Sequence, residues 1–192
     1  HTQDPRTDPL AALVAGATRR VEAQQLDLAL EARNSLGWRS PDPLHAALAA
    51  AARRGVPVRV LAAAPFSSDD AGNAAALASL AASGAQAATF QRPGIQALHN
   101  KGLVVDDAVV VGSLNGNHHS RSANREVALL VRGPGVADWF AGLFASDWDP
   151  PPPAVPPGVI GRDLRGLPTA PVPMLLVALG VVAAFRSRPC RF

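Results

Sequence analysis

Cysteine occurs once in this chain, at Cys190, and lysine occurs once, at Lys101, whereas arginine fills every other basic position. A lone cysteine excludes an internal disulfide. Metal-binding spacings are also missing around Lys101, where no H-x-H, H-E-x-x-H or D-x-D pattern occurs. The sequence therefore predicts a reaction that uses neither a metal ion nor another cofactor.

Excess positive charge is missing from the larger part of the chain. Residues 150–192 hold five arginines and one aspartate, whereas residues 1–149 hold 13 basic and 14 acidic residues. A nuclease usually needs a basic track along the nucleic-acid backbone. Apart from the single lysine, only Arg121 and Arg125 suggest such a track, so nucleic acid is not the favoured substrate.

The single lysine belongs to an H-x-K pattern, with His99 two positions before it and Asp106 five positions after it. Because alternate residues of a strand point to the same face, a strand over 97–105 would project His99 and Lys101 together. A neutral imidazole can act as a nucleophile near pH 7, and an ammonium neutralises phosphoryl oxygens. These residue types together indicate phosphodiester chemistry.

A polar turn, Gly112–Asn117, follows the motif after a short apolar run. Its side chains at Ser113 and Asn115 are short and can donate hydrogen bonds to phosphoryl oxygens. Its two glycines allow the backbone to approach a neighbour closely. His118 and His119 come next, and they either line the same pocket or lie in solvent.

These residues closely resemble the phospholipase D superfamily, as does Glu126 at the head of the apolar run 127–131. Residues 43–61 and the aromatic helix over 138–148 share the resemblance, which covers most of 8–149. It implies an α/β fold, namely an α-β-α sandwich with a mixed, mostly parallel sheet. It also implies that Glu126 hydrogen-bonds the catalytic histidine and holds its tautomer.

The resemblance assigns roles to the other motif residues. It implies that His99 is the nucleophile, which forms a phosphohistidine intermediate, and that Lys101 binds the phosphate. Ser113 and Asn115 would help to form the phosphate pocket. Asp106 belongs to the motif as an orienting residue. In most members two such motifs face each other, and the second histidine protonates the leaving group.

The rest of the chain indicates alternating helices and strands in one domain over 8–149. Residues 1–7 would be an extension of a fragment, because the chain begins with histidine rather than methionine. The predicted helices cover 8–20, 43–54, 70–82 and 138–148, and the predicted strands cover 21–32, 56–61, 85–90 and 97–105.

The last part of the sequence predicts a membrane anchor. Residues 150–166 form a proline-rich spacer, and residues 167–192 combine an apolar stretch with a basic end. The stretch 167–185 has 19 residues, within the roughly 17 to 25 that span a bilayer. Its basic end would stay cytoplasmic, so the catalytic domain would be extracytoplasmic. The alternatives are a buried C-terminal helix and a transmembrane-like sorting tail that is removed after export.

The sequence contains one H-x-K motif, so we expect the second motif to come from a missing upstream half or from a homodimer partner. The predicted function is a phospholipase D-like phosphodiesterase or phosphatidyltransferase that acts on phospholipid phosphodiesters. One alternative is a metal-independent nuclease. Another is a non-catalytic half that completes the site of a partner.

Overall fold

The structure, a computed structural model, describes residues 8–33, 37, 39–64, 72–92, 94–95 and 97–148. In chain order their helices and strands are α1 (Pro9–Ala15), β1 (Val21–Gln25), β2 (Glu31–Arg33), β3 (Arg39–Pro41), α2 (Pro43–Arg53), β4 (Val58–Ala63), α3 (Gly72–Ala82), β5 (Gln86–Phe90), β6 (Lys101–Val105), β7 (Ala108–Gly112), α4 (His118–Ser122), β8 (Ala128–Arg132) and α5 (Pro134–Trp148).

The main sheet has the strand order β5-β4-β1-β6-β7-β8, and β2 and β3 form a separate hairpin. The strands β5, β4 and β1 are parallel, whereas β6, β7 and β8 each run antiparallel to the preceding strand in that order. Four of the six described strands of this sheet, β1, β4, β5 and β7, therefore run in one direction. The predicted α/β fold with a mixed, mostly parallel sheet is confirmed in this sense.

Side chains of β6 alternate between the two faces of the sheet, as a strand requires. Leu103 and Val105 pack with residues of α1, α2 and α3, whereas Val104 packs with Ala137 and Phe140 of α5. Helices therefore cover both faces of the sheet. The alternation of apolar side chains along β6 accounts for the α-β-α sandwich.

Helix α1 is shorter than the sequence predicts. It begins after Asp8, whose carboxylate accepts hydrogen bonds of 3.0 Å from the backbone N–H groups of Leu10 and Ala11. It ends at Ala15 rather than near Arg20. Residues 18–20 leave the helix because their N–H groups donate to the carboxylate of Asp106, 86 to 88 positions away.

The predicted strand over 21–32 is divided in two by a bend. The side chain of Asn73 stabilises this bend, because it accepts a 2.8 Å hydrogen bond from the N–H of Leu28 and donates one of 2.9 Å to the carbonyl of Leu26. Leu28 also forms a bridge to Gly116. The side-chain amide of Asn73 thus satisfies backbone groups of Leu26 and Leu28. In a continuous strand these groups would pair with a neighbouring strand.

The strand that carries the motif begins later than the sequence predicts. β6 starts at Lys101, which pairs with Gln25, the last residue of β1. His99 therefore precedes the strand, because β1 offers no further residue with which it could pair. Other boundaries also differ: α5 begins at Pro134 rather than 138, and α4 occupies a stretch for which no helix was predicted.

The predicted extension 1–7, the spacer 150–166 and the anchor 167–192 lie outside the described residues. Within the part of the chain that the structure describes, no helix is long and apolar enough to cross a bilayer. The membrane anchor therefore stays a prediction.

Candidate active site

The candidate site lies at one end of the strands of the sheet, and the strand directions determine which residues meet at this edge. β1 and β7 end at this edge, with Gln25 and Gly112, whereas β6 and β8 begin there, with Lys101 and Ala128. The motif and the polar turn after β7 therefore meet. This is also the edge of the carboxyl ends of the parallel strands, where open α/β sheets usually bind ligands.

His99 and Lys101 are in direct contact. The ammonium of Lys101 donates a 2.8 Å hydrogen bond to the carbonyl oxygen of His99 and lies 3.3 Å from the ring Nδ1 of the same residue. The imidazole is exposed and Lys101 is half-buried. Burial lowers the pKa of Lys101, and the negative charge of Glu126 opposes this effect.

The contact has a consequence for the tautomer of His99. An ammonium is a donor only, so Nδ1 must accept and the proton of the neutral ring must lie on Nε2. Attack through Nε2 requires the opposite tautomer. The ammonium must therefore move away from Nδ1 before Nε2 can act as a nucleophile.

Glu126 lies in a network of hydroxyl and amide donors. Its carboxylate accepts hydrogen bonds from the hydroxyls of Ser113 and Ser120 and from the side-chain amide of Asn124. Burial would raise the pKa of Glu126, but these three hydrogen bonds and the charge of Lys101 together lower it. Among the described contacts, the hydrogen bond from the ring of His99 to Glu126 that the resemblance implies is not formed.

The turn after β7 is held by its own side chains. The hydroxyl of Ser113 donates to Glu126 and accepts a 3.1 Å hydrogen bond from the N–H of Val127. The N–H of Asn115 donates to Ser120, and the buried Oδ1 of Asn115 has no hydrogen-bond partner among the described residues. Ser113 must therefore rotate before its hydroxyl can donate to a phosphate.

The predicted close approach at the two glycines of the turn is confirmed. A Cβ atom at Gly112 would lie 2.7 Å from Cα of Ala128, and one at Gly116 would lie 2.7 Å from a methyl group of Leu28. Both distances are shorter than any van der Waals contact allows. The turn is therefore packed against β8 on one side and against the bend after β1 on the other.

Asp106 lies apart from the other predicted site residues, at the opposite end of β6 from Lys101. It adopts a left-handed conformation with φ of 52°, and its carboxylate accepts hydrogen bonds from the N–H groups of Thr18, Arg19 and Arg20. Burial would raise its pKa, but these hydrogen bonds lower it below the ordinary value. Asp106 anchors a loop, and the structure does not bring it to His99.

A relay of side chains fixes the segment that carries His99, and no sequence pattern indicated it. Asn100 donates a 2.9 Å hydrogen bond to Gln24, and Gln24 donates one of 2.8 Å to Asp147 in α5. Arg92 donates a 3.1 Å hydrogen bond to the other oxygen of Asp147. The residue between His99 and Lys101 is thereby tied to β1 and α5.

His99 and Lys101 line a groove of about 410 Å³. Its polar lining includes Gln24, Asn100, His99 and Lys101, and its apolar lining includes three residues of α5, which are Trp139, Phe140 and Leu143. The sequence indicated an aromatic helix here but not that it faces the motif. His118 and His119 do not line this groove.

Arg121 is not available to bind nucleic acid, contrary to what its sequence position suggested. Its side chain is only 7% exposed and lies between two carboxylates. It forms an ion pair with Asp42, and its Nε lies 2.7 Å from Oδ2 of Asp8, although not in hydrogen-bond alignment. Both aspartates cap helices, so Arg121 joins α4 to the beginnings of α1 and α2.

Within the ranges that the structure describes, no three histidine, cysteine, aspartate or glutamate side chains come together to hold a metal ion. The metal-free reaction therefore stays a prediction, which an experiment with a chelator can test.

Solved structures with a similar fold include the following three. Nuc from Salmonella typhimurium, a phospholipase D family member, is 20% identical over 72% of this chain and 84% of its own, with a TM-score of 0.58. NucT from Helicobacter pylori is 13% identical over 73% and 86%, with a TM-score of 0.58. Polyphosphate kinase from Porphyromonas gingivalis is 18% identical over 79% and 25%, with a TM-score of 0.52.

At these identities the structural comparisons show the fold alone. No curated protein sequence matches the chain. The family described as "Cardiolipin synthase, PLD-like domain" matches residues 29–148, which is more than half of the chain. The chain therefore belongs to this family of the phospholipase D superfamily, whose members are generally phosphodiesterases.

Proposed function

We propose that this domain is a phospholipase D-type hydrolase or phosphatidyltransferase that acts on phospholipid phosphodiesters through His99. The observation that carries the proposal is the exposed imidazole of His99 in contact with the ammonium of Lys101, inside a groove with one apolar wall. A nucleophile and a cation for phosphate are thus adjacent to a surface that suits an apolar substrate.

The reaction has two steps. In the first, Nε2 of His99 attacks phosphorus, an N–P bond forms, and the bond from phosphorus to the leaving alcohol oxygen breaks. A general acid gives this oxygen a proton. In the second step, water or an alcohol attacks phosphorus, the N–P bond breaks, and the attacking oxygen loses its proton.

Lys101 couples phosphate binding to activation of the nucleophile. A phosphoryl oxygen is a stronger acceptor for the ammonium than a neutral imidazole nitrogen. When phosphate binds, the ammonium therefore leaves Nδ1 and its hydrogen bond to the His99 carbonyl can remain. Nδ1 is then free to hold the proton, and Nε2 gains the lone pair that attack requires.

Glu126 supports this cycle through its charge and its hydrogen bonds. Burial lowers the pKa of Lys101, and the charge of Glu126 opposes this lowering and so favours the protonated cation. Glu126 also accepts hydrogen bonds from Ser113 in the turn and from Ser120 in α4. Ser113 and Asn115 would contact the phosphoryl oxygens after small rotations of their side chains.

The general acid comes from a second copy of the H-x-K motif, because the described residues contain a single copy. An upstream half or an identical subunit would supply it. Light scattering of an active preparation can distinguish these sources. Activity of particles that contain two copies would support the identical subunit, whereas activity of a monomer of this chain alone would contradict the requirement for a second motif.

Residues 167–185 would hold the protein in a membrane, with the catalytic domain extracytoplasmic. Carbonate extraction of membranes that contain the full chain tests this location. The protein should remain with the membranes and should be accessible to protease from the outside only.

The alternative function is a metal-independent nuclease. The groove contains one cation, Lys101, among its lining residues, and Arg121 is buried against two carboxylates. A nucleic-acid strand needs several cations along its backbone. These charges favour a substrate with one phosphodiester, and a non-catalytic half would not explain why nucleophile and cation are in contact.

The decisive experiment measures phosphodiester cleavage by the full chain in excess EDTA, with phosphatidylcholine and single-stranded DNA as competing substrates. The matched control is His99→Ala. Lipid cleavage that depends on His99, with an acid-labile phosphoenzyme after rapid quenching, supports the proposal. Cleavage of DNA alone supports the nuclease, and rates that metal addition restores would show that the metal-free mechanism is wrong.

A further inference from the structure

We infer that Trp139 and Leu143 of α5 form the subsite for the apolar alcohol part of the substrate, the acylated glycerol of a phospholipid. This inference rests on the proposed function, because it assigns the apolar part of the same substrate to one wall of the groove. It names the residues that would determine specificity for lipid over other phosphodiesters.

Helix α5 has one buried face and one exposed apolar face. Phe144 is 3% exposed and packs with Leu61 and Phe90. Trp139 and Leu143, by contrast, are 60% and 43% exposed. Because residues four apart lie on the same side of a helix, these two side chains form one continuous apolar surface.

This apolar surface lies beside His99 and Lys101. Trp139 and Leu143 line the same groove as His99 and Lys101. The groove lining contains a single cation and no carboxylate. It therefore offers one phosphate position beside an apolar wall, which matches a molecule that carries one phosphodiester next to a hydrocarbon group.

Trp139 is held in place by an edge-to-face contact with Phe140, whose ring centroid is 4.8 Å away. An exposed indole can also stack on a nucleobase. The two uses differ in what they require, since an acyl chain needs only apolar area whereas a base needs an aromatic ring. Leucine at position 139 retains the first property and removes the second.

The test compares dibutyryl- and dihexanoyl-phosphatidylcholine, both below their micelle concentrations, as substrates of the full chain. The ratio of their kcat/KM values reports how much acyl length contributes. Leu143→Ser and Trp139→Ser should each lower this ratio by about 10-fold, the lower end of the effect of a methylene in an apolar pocket. Trp139→Leu should retain most of the ratio.

Leu129→Ser is the matched control. Leu129 is 44% exposed on β8 and does not line the groove. Its replacement should leave the ratio at the native value. If Leu143→Ser changes the ratio no more than Leu129→Ser does, the subsite is wrong. If Trp139→Ser leaves the ratio at the native value and Trp139→Leu abolishes turnover of DNA, Trp139 is a base-stacking residue and the inference is overturned.

A binding measurement keeps the subsite separate from the proposed function. His99→Ala lacks the nucleophile, so calorimetry can follow its binding of the dihexanoyl ester without turnover. Adding Leu143→Ser to this variant should weaken binding about 10-fold, as expected for lost apolar contact, whereas adding Leu129→Ser should not. Selective weakening without any turnover in the native chain would contradict the proposed function alone, and equal binding would contradict the subsite alone.

Discussion

The ammonium of Lys101 lies 2.8 Å from the carbonyl oxygen of His99 and 3.3 Å from the ring nitrogen Nδ1 of that same residue. The backbone of the nucleophile thus positions the cation that would bind its substrate. An ammonium has three donors, and two of them face His99. When the ammonium turns from Nδ1 to a phosphoryl oxygen, the backbone contact can remain.

Lys101→Arg should lower kcat by about 100-fold, comparable to the loss of one donor in an oxyanion site. The charge is retained, but a planar guanidinium cannot occupy the position of a compact ammonium between the His99 carbonyl and the phosphate. Kinetics on a short-chain phosphatidylcholine would measure this effect. Arg125→Lys is the control on an exposed residue, and a native kcat for Lys101→Arg would show that geometry at this position is unimportant.

Glu126→Gln should move the alkaline limit of activity to lower pH. Glu126 raises the pKa of Lys101, so removal of its charge lowers that pKa and the ammonium loses its proton earlier as pH rises. The profile of kcat/KM against pH tests this. Glu31→Gln, a change on the hairpin, is the control. An unchanged alkaline limb with reduced kcat would assign Glu126 a purely structural role.

Asp106→Asn should reduce the free energy of unfolding at pH 7 by about 2 kcal/mol, as expected for hydrogen bonds to a charged group. The pKa of Asp106 is lowered from its ordinary value of 3.8. Its contribution is therefore present above that value and disappears as pH falls through the lowered pKa. Urea unfolding from pH 7 to pH 2 should show the native and variant stabilities converge. Asp107→Asn, a surface control, should remain near native stability, and a pH-independent difference for Asp106→Asn would contradict the assignment.

Arg121→Leu should destabilise the protein by about 3 to 5 kcal/mol, because loss of one partner leaves buried carboxylates uncompensated. Asp42 is fully buried and Asp8 nearly so. Denaturant unfolding would measure the loss, with Arg125→Leu as the exposed control. Adding Asp42→Asn to Arg121→Leu should restore part of the stability, and a strictly additive further loss would show that the two charges are not coupled.

Short-range patterns in the sequence were enough to predict the motif. His99 and Lys101 are two residues apart, and Ser113 and Glu126 lie near the two ends of the connection between the adjacent strands β7 and β8, so local spacing brings them together. The α/β fold also follows from alternating apolar segments. The start of β6 could not be predicted from these segments, because it depends on where β1 ends.

Contacts between residues distant in sequence were not predictable in this way. Gln24 and Asn100 are 76 positions apart, and Arg121 and Asp42 are 79 apart. Polar side chains such as these give no periodic signal, and their partners are set by the packing of whole elements. The same reason explains why Arg121 looked like a surface cation and why α5 was not placed beside the motif.

The two tight glycines and the ion pairs of Arg121 have a shared thermodynamic consequence for the polar turn. The turn packs closely against β8 at Gly112 and against the bend after β1 at Gly116. The ion pairs of Arg121 hold α4, the helix that follows the turn. A loop that is fastened along its length has little conformational entropy left to lose. Ligand binding there would thus be opposed mainly by desolvation, and selectivity would depend on which groups tolerate a site of fixed shape.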